Sequence, residues 1–402
     1  MDRIILHCDC NSFFASVELL DHPDLVNVPV AIGGNSENRK GIILAKNEPA
    51  KKYGVVTAET IWAAKKKCPD LVILKPNHEK YTYYSKKVND IYARYTDLIE
   101  PFGIDESWLD VTGSTMIFGN GKEIADRIRK EVREELGLTI SVGVSFNKIF
   151  AKLGSDYKKP DATTVISRDN FKTILFPLKA SDMLFVGKKM AAELSKYGIV
   201  TIEDIAHSKE GMLENIFGKS GDMVRRYANG EDESPVASMY EKEEVKSVGN
   251  GMTFKKDISN IEEAELGIIA LADTVAYRLR KKNLKCTTVQ VNIKDTNFKV
   301  MSRQRQTKNP TYIAKEIAEI ATLLVKENWD FNKKRIRLIS ITGTKLVQVG
   351  SYDRQLSLFE ENNLDNEKQE EIEKTIDSIK NKYGKKIIKN MALSDNELGI
   401  DI

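Results

Sequence analysis

Along the first 170 residues the hydrophobic pattern alternates between short apolar runs and helical spacing. Arg3 to Asp9 is a short apolar run that predicts a buried strand, and Phe13 to Leu20 continues with helical spacing. Residues 41–45 and 71–74 predict further strands, with a helix from Ala58 to Lys67 ended by Pro69. Tyr81, Tyr84, Val88, Ile91, Tyr92 and Tyr95 recur on one face of a long helix, a stripe better suited to a core than to a ligand platform. Leu98 to Thr112 reads as strand with a Pro-Phe-Gly break, and Ile124, Ile128, Val132 and Leu136 mark an amphipathic helix closed by Gly137. Thr139–Ser145 (strand), Lys148–Tyr157 (helix) and Thr163–Ser167 (strand) complete an α/β or α+β body.

The pattern then changes. Residues 171–237 are helical throughout with glycine turns at Phe185-Val-Gly-Lys-Lys189 and Phe217-Gly-Lys-Ser-Gly221, and an acidic stretch follows as a linker. Residues 247–348 hold β runs near 287–293 and 335–342 and helices at 262–281 and 312–327. An acidic, Asn-rich tether and a helix near 367–381 end the chain.

At 402 residues, several domains are expected rather than one core. Charged residues at 30% and hydrophobic ones at 41% fit a globular chain, no apolar run is long enough to span a membrane, and Ile4 to Leu6 is too short for a signal peptide. A cytoplasmic location is the expectation. Cys8, Cys10, Cys68 and Cys286 form no CxxC pair and the four histidines are scattered, which argues against a zinc site. Net charge is only +3, but residues 241–350 carry 21 Lys/Arg against 13 Asp/Glu. A basic segment beside a nearly neutral body fits a polyanion-binding module, or simply a solvated lysine-rich surface.

The acids carry the chemistry. Asp9 ends an apolar strand, where an unpaired carboxylate is expensive, and Asp105 and Glu106 lie in an equally apolar stretch. Neighbours on a strand point to opposite faces unless a turn intervenes, and the Pro101/Gly103 break allows a hairpin that brings both acids to one place. Clustered carboxylates need cations, and Mg²⁺ shared between carboxylates and substrate phosphates is the usual answer. Two such ions can clamp both oxygens of an in-line phosphoryl transfer. The plainer alternative pairs Asp105 or Glu106 with a lysine.

Asp9-Cys-Asn-Ser-Phe-Phe-Ala-Ser-Val-Glu18, Gly103-Ile-Asp-Glu-Ser-Trp-Leu-Asp110 and the block Ser145-Phe-Asn-Lys148, Ala151-Lys152, Ser155, Lys159-Pro160 resemble, in order and spacing, three motifs of the Y-family DNA polymerases. The resemblance runs through the helix-hairpin-helix-like segment 185–202 and Lys246–Phe254 to about residue 360, nearest the bacterial polymerase IV branch with touches of the UmuC branch. It implies an α+β right-hand polymerase: mixed-sheet palm and fingers at 1–170 (fingers about 19–76), helical thumb at 171–237, linker at 238–246, α/β little finger at 247–348 and tail at 349–402. It implies template-directed, low-fidelity translesion synthesis by a monomer, with primer-template DNA and deoxynucleoside triphosphates as substrates.

By the same resemblance, Asp9, Asp105, Glu106 and the backbone carbonyl of Cys10 hold two Mg²⁺ ions, Phe14 is the steric gate beside a core Phe13, and Lys159 meets the triphosphate. Lys148 and Lys152 belong to the same motif as contacts or as helix-surface support. The fingers depart from the polymerase IV pattern, with Glu48 and Lys51 where a Tyr and an Arg are usual; Lys51 and Lys46 can still supply positive charge. Asn11, where many relatives carry an Asp, has no assigned role. DNA contacts are expected at Gly187 and Lys188, and at Arg303, Arg305, Arg335 and Arg337, whose spacing by two puts each pair on one sheet face. Gln355-Leu-Ser-Leu-Phe359 resembles a sliding-clamp binding peptide, with Gln355, Leu356, Leu358 and Phe359 as anchors. Rival readings are a catalytically silent, clamp-recruited DNA-binding accessory protein and a nucleotidyl cyclase.

Overall fold

The computed structural model describes residues 2–34, 41–241, 244–350, 364–384, 387–388, 391–393 and 397–400. Gln355, Leu356, Leu358 and Phe359 lie outside the described residues. The chain forms two compact units, one made of Met1–Gly34 with Ile42–Lys242, the other lying within Glu243–Ile402.

The first unit is built on a five-stranded mixed sheet. Numbered in chain order, its strands are β1 (Ile5–Cys10), β5 (Ile99–Pro101), β6 (Glu106–Asp110), β7 (Ile140–Ser145) and β8 (Thr163–Ile166). The spatial order is β5-β6-β1-β7-β8, with β1 antiparallel to both neighbours and β8 parallel to β7. Every residue of β1 and β7 is buried, because these central strands lie under covering helices, while β5, β6 and β8 keep partly exposed positions. Helix Gly121–Leu136 starts in a capping box between Asn120 and Glu123 and ends at Gly137 in the left-handed region. Its Ile124, Ile128 and Val132 are fully buried, each contributing about 1.5–3 kcal/mol. The tyrosine stripe is core at Tyr81, Tyr92 and Tyr95.

Helix Lys148–Tyr157 lies directly on the sheet over Gly143. A Cβ at Gly143 would stand 1.9 Å from the Ala151 carbonyl oxygen and 2.5 Å from the Ser155 nitrogen, so only glycine admits this approach. Gly143 is also the register partner of His7 on β1, and the contact therefore seats this helix above the centre of the sheet.

A smaller sheet orders β3 (Ile43–Lys46), β2 (Val30–Gly33) and β4 (Val72–Leu74). Strand β2 was not expected from the sequence; its four buried residues carry no alternation to announce it. Beyond β8 the first unit continues as short helices, including Lys188–Lys196, Ile202–Ala206, Met212–Phe217 and Lys219–Ala228, around a core that contains Leu194, Ile202, Ile205 and Val224.

The second unit is a four-stranded antiparallel sheet, β9 (Ser247–Ile258), β10 (Leu284–Asp295), β11 (Val300–Thr311) and β12 (Ile336–Gln348), in the order β11-β10-β12-β9. The sequence marks only the middle pair. Strand β11 is an edge strand whose Ser-Arg-Gln-Arg-Gln run shows no apolar alternation, and β9 is diluted by Gly249 and Gly251. Helices Ile261–Lys281 and Ala314–Asn328 cover the face carrying Val289, Val291 and Ile293.

Helix Leu364–Tyr383 docks on this unit through charge. The Arg280 guanidinium holds Asp377 with two hydrogen bonds (2.6 and 3.0 Å), reaches the Tyr312 carbonyl at 3.0 Å and also pairs with Glu373. Glu373 in turn accepts from the Ala314 N–H at 3.0 Å, capping a helix whose own N-cap, Ile313, has no side-chain acceptor.

Candidate active site

Strands β1 and β6 pair so that Asp9 faces Glu106 directly. Asp105 sits one residue earlier, in the turn after Pro101, and its carbonyl accepts from the Cys10 N–H at 2.9 Å. The hairpin break thus lets adjacent acids approach one place. The consequence is electrostatic: burial, with Asp9 and Glu106 nearby, pushes the Asp105 carboxyl up from 3.8 to about 6.

The covering helix and the residues just after it supply cations. Lys152 Nζ lies 3.1 Å from Asp9 Oδ2 and 3.4 Å from Asp156 Oδ2, and also pairs with Glu106 Oε2. Lys159 Nζ lies 2.9 Å from Asp9 Oδ2 and 2.8 Å from Asp156 Oδ1. Burial opposes the charge on both lysines, but the surrounding carboxylates outweigh it and keep them firmly protonated. Burial likewise opposes the Glu106 anion, and His7 and Lys152 reverse that, holding Glu106 well below the usual carboxylate range. Asp9 and Glu106 stand together with His7, Asp105 lies within electrostatic reach of both, and lysine stands among them.

His7, Asp9 and Glu106 offer ligand atoms within 4.8 Å of one another. Asp9, Asp105 and Glu106 present hard oxygen donors with more negative charge than Lys152 and Lys159 balance, a donor set that fits Mg²⁺. Neither His7 nor Asp156 was singled out from sequence. His7 stands two residues before Asp9 on a strand, a spacing that puts both on one face and could have pointed to it.

Lys148, which the motif leaves open, is placed elsewhere: its Nζ meets both Glu100 oxygens at 2.7 Å and lies 4.6 Å above the Trp108 ring. Its partners are structural, whereas Lys152 faces the acids. Asn11 also has a structural setting. It is buried, its Nδ2 donates to Ser141 Oγ at 2.9 Å and its Oδ1 accepts from the Asp161 N–H at 2.8 Å. A carboxylate could not make that first donation.

Phe13 is buried, while Phe14 is partly exposed and stacks on Tyr81 with centroids 4.0 Å apart and planes 10° apart. In the fingers, Lys51 Nζ pairs with Glu48 Oε1 at 2.5 Å and Lys46 Nζ donates to Thr57 Oγ1 at 2.8 Å. Burial, then the neighbouring Lys51, lowers the Lys46 pKa.

The two glycine turns differ. Gly187 begins helix Lys188–Lys196 with open space around it, beside an exposed Phe185 at φ +70°. Gly221 instead packs against the Leu213 carbonyl, where a Cβ would stand 2.0 Å away. Arg303 and Arg305 do share a face of β11, but they pair in register with Val291 and Val289 on the helix-covered side. There Arg303 Nε donates to Asn328 Oδ1 at 2.9 Å and Arg305 pairs with Glu327 at 2.8 Å. Arg335 is exposed just before β12, and the Arg337 guanidinium lies 4.8 Å over Phe298. The opposite face carries Gln290, Asn292, Ser302 and Gln304, with Lys294 at its end.

The four cysteines are free and buried. Among the described residues, no helix is long and apolar enough to cross a membrane.

Residues 8–156 match the impB/mucB/samB family and residues 245–358 match the impB/mucB/samB family C-terminal domain. A DNA polymerase IV of Acetivibrio thermocellus is 44% identical over 384 residues, 96% of each chain. That of Clostridium kluyveri is 39% identical over 98% of each chain. DNA polymerase IV 1 of Bacillus subtilis is 37% identical over 98% of this chain and 94% of its own. A Y-family DNA polymerase chimera of solved structure shares the fold, with a TM-score of 0.75 at 24% identity over 86% of this chain and 99% of its own. With the acids paired across β1 and β6 and the whole length matched, the chain belongs to the impB/mucB/samB family of Y-family DNA polymerases and is a DNA-directed DNA polymerase.

Proposed function

We propose that this polymerase extends primers past damaged template bases, with low fidelity, at a two-Mg²⁺ centre held by Asp9, Asp105, Glu106 and the backbone carbonyl of Cys10. The observation that carries the reading is the Asp9–Glu106 pair across β1 and β6 with Asp105 beside it. When bound, the cations supply activation of the primer hydroxyl and neutralisation of the transferring phosphoryl group. The chain's own residues do the rest. Lys159, charged and held near Asp9, is positioned to meet the incoming triphosphate. Lys46 and Lys51 add positive charge from the fingers, with Glu48 tied to Lys51. Phe14, backed by the Tyr81 ring, is a rigid wall against a sugar 2′-hydroxyl.

Primer-template DNA is bound by the Gly187–Lys188 turn, whose glycine leaves room for a phosphate, and by Arg335 and Arg337. Arg303 and Arg305 contribute at the sheet edge by exchanging their carboxamide and carboxylate partners for phosphates. A sliding clamp takes Gln355, Leu356, Leu358 and Phe359, and the enzyme works as a cytoplasmic monomer.

The test is running-start synthesis past an abasic site and a minor-groove adduct, with and without clamp. The expected outcome is Mg²⁺-dependent extension that continues beyond the lesion and lengthens with clamp. Complete arrest one nucleotide before both lesions, with undamaged template copied normally, would sink the translesion reading.

A further inference from the structure

His7 has no task in the two-cation reading, yet it is the most enclosed polar group of the cluster. It is fully buried on β1 and shares the Asp9 face of that strand. Its Nδ1 lies 2.8 Å from the hydroxyl of Ser155, also buried, on the helix that Gly143 admits to the sheet. Its Nε2 lies 3.3 Å from Glu106 Oε2 and has no aligned hydrogen-bond partner. Trp108 flanks the ring edge-on with centroids 5.2 Å apart.

A neutral imidazole has one N–H, and its neighbours decide where that proton resides. A lone pair on Nε2 would face the oxygen lone pairs of Glu106 Oε2, 3.3 Å away, so the geometry calls for an N–H on Nε2. Nδ1 then accepts from the Ser155 hydroxyl, which otherwise donates to the Lys152 carbonyl at 2.8 Å.

We propose that His7, seated by Ser155, is a positioning residue that presents Nε2–H to Glu106 Oε2 and so aims the other carboxylate oxygen at the cation site. The proposal rests on Glu106 being a metal ligand. It also divides the work at that oxygen. Lys152 shares Oε2, but its ammonium sits on a flexible stem and is repelled by an arriving cation. The imidazole is held by the strand, the serine and the tryptophan, and stays in place where the lysine can withdraw. Partners of this kind fix ligand orientation, and their removal commonly costs 10–100-fold, as an order of magnitude, in metal affinity or activity.

The experiment measures Mn²⁺ binding to the full-length protein on primer-template DNA, by the electron paramagnetic resonance signal of free Mn²⁺, alongside single-turnover extension. His7→Leu is expected to weaken Mn²⁺ binding by about tenfold or more and to lower the extension rate at saturating nucleotide, leaving the nucleotide KM unchanged. His7→Gln, whose amide nitrogen can reach the place of Nε2, is expected to restore most of both. Where His7→Leu fails to fold, Ser155→Ala removes a single oxygen and reads the same contact: weaker Mn²⁺ binding supports the proposal and unchanged binding overturns it. Wild-type Mn²⁺ affinity in His7→Leu, or His7→Gln as impaired as His7→Leu, overturns it while leaving the metal reading standing. Undiminished Mn²⁺ binding in Glu106→Gln overturns both.

Discussion

In the catalytic unit, Asp9, Asp105, Glu106 and Asp156 face two ammonium groups, Lys152 and Lys159, and Asp105 is left with its carboxyl raised to about 6. In the second unit, Arg280 faces Glu373 and Asp377: it holds Asp377 with two hydrogen bonds, pairs with a Glu373 that also caps a helix, and donates to the Tyr312 carbonyl. The residue types are the same and the outcomes differ. One cluster keeps unbalanced negative charge in a partly open place and can accept a cation. The other closes on itself and fastens a helix. Both clusters set two carboxylates against each cation, and the difference lies in hydrogen bonding: the Arg280 fork and the Ala314 N–H hold the acids of the second cluster, whereas burial beside Asp9 and Glu106 raises Asp105.

That contrast can be broken in graded steps. Asp9→Asn or Glu106→Gln removes an anion the cations need, and primer extension should fall by roughly 10³-fold or more while the protein stays folded, as read by extension assays beside thermal unfolding. Arg280→Met leaves Glu373 and Asp377 buried without a counter-charge, and urea unfolding should show a loss of about 3 kcal/mol with no change in the Mg²⁺ dependence of the folded enzyme.

Asp105→Asn should act in the opposite direction on stability. With EDTA present, the folded state holds the Asp105 proton more tightly than the unfolded chain, whose carboxyl titrates near 3.8. Stability from this group is therefore complete below about pH 4 and lost as pH rises through about 6. Replacing it by Asn should make metal-free protein at pH 7–8 more stable by about 1–2 kcal/mol after allowance for partial exposure, and should flatten that pH dependence. Arg305→Ala should have the smallest effect, about 0.2–1 kcal/mol in urea unfolding, because its pair with Glu327 is 40–44% exposed.

Much of the catalytic unit was legible in sequence. The apolar run before Asp9, the break at Pro101 and Gly103, and the periodic helices each follow from local preferences and appear where the pattern put them. Strands β2 and β9 were not legible, since an all-buried short strand and a glycine-rich one lack alternation, and β11, a polar edge, was marked only by the spacing of Arg303 and Arg305. For Lys148 and Lys152, spacing on one helix said that both were near the motif and could not say which faced the acids. Arg303 and Arg305 were correctly read as sharing a face, but which face that was depended on register with β10.

The sequence by itself determined which residues are chemically equipped: three acids in apolar surroundings, lysines on one helix, an aromatic pair after the first strand. Tertiary structure alone decided their partners. Register set Asp9 against Glu106, and one missing Cβ at Gly143 let a helix settle close enough to bring Lys152 and Ser155 over His7. The physical reason is range: propensity and periodicity act over a few residues, whereas electrostatic pairing depends on ångström distances between segments nearly 150 residues apart.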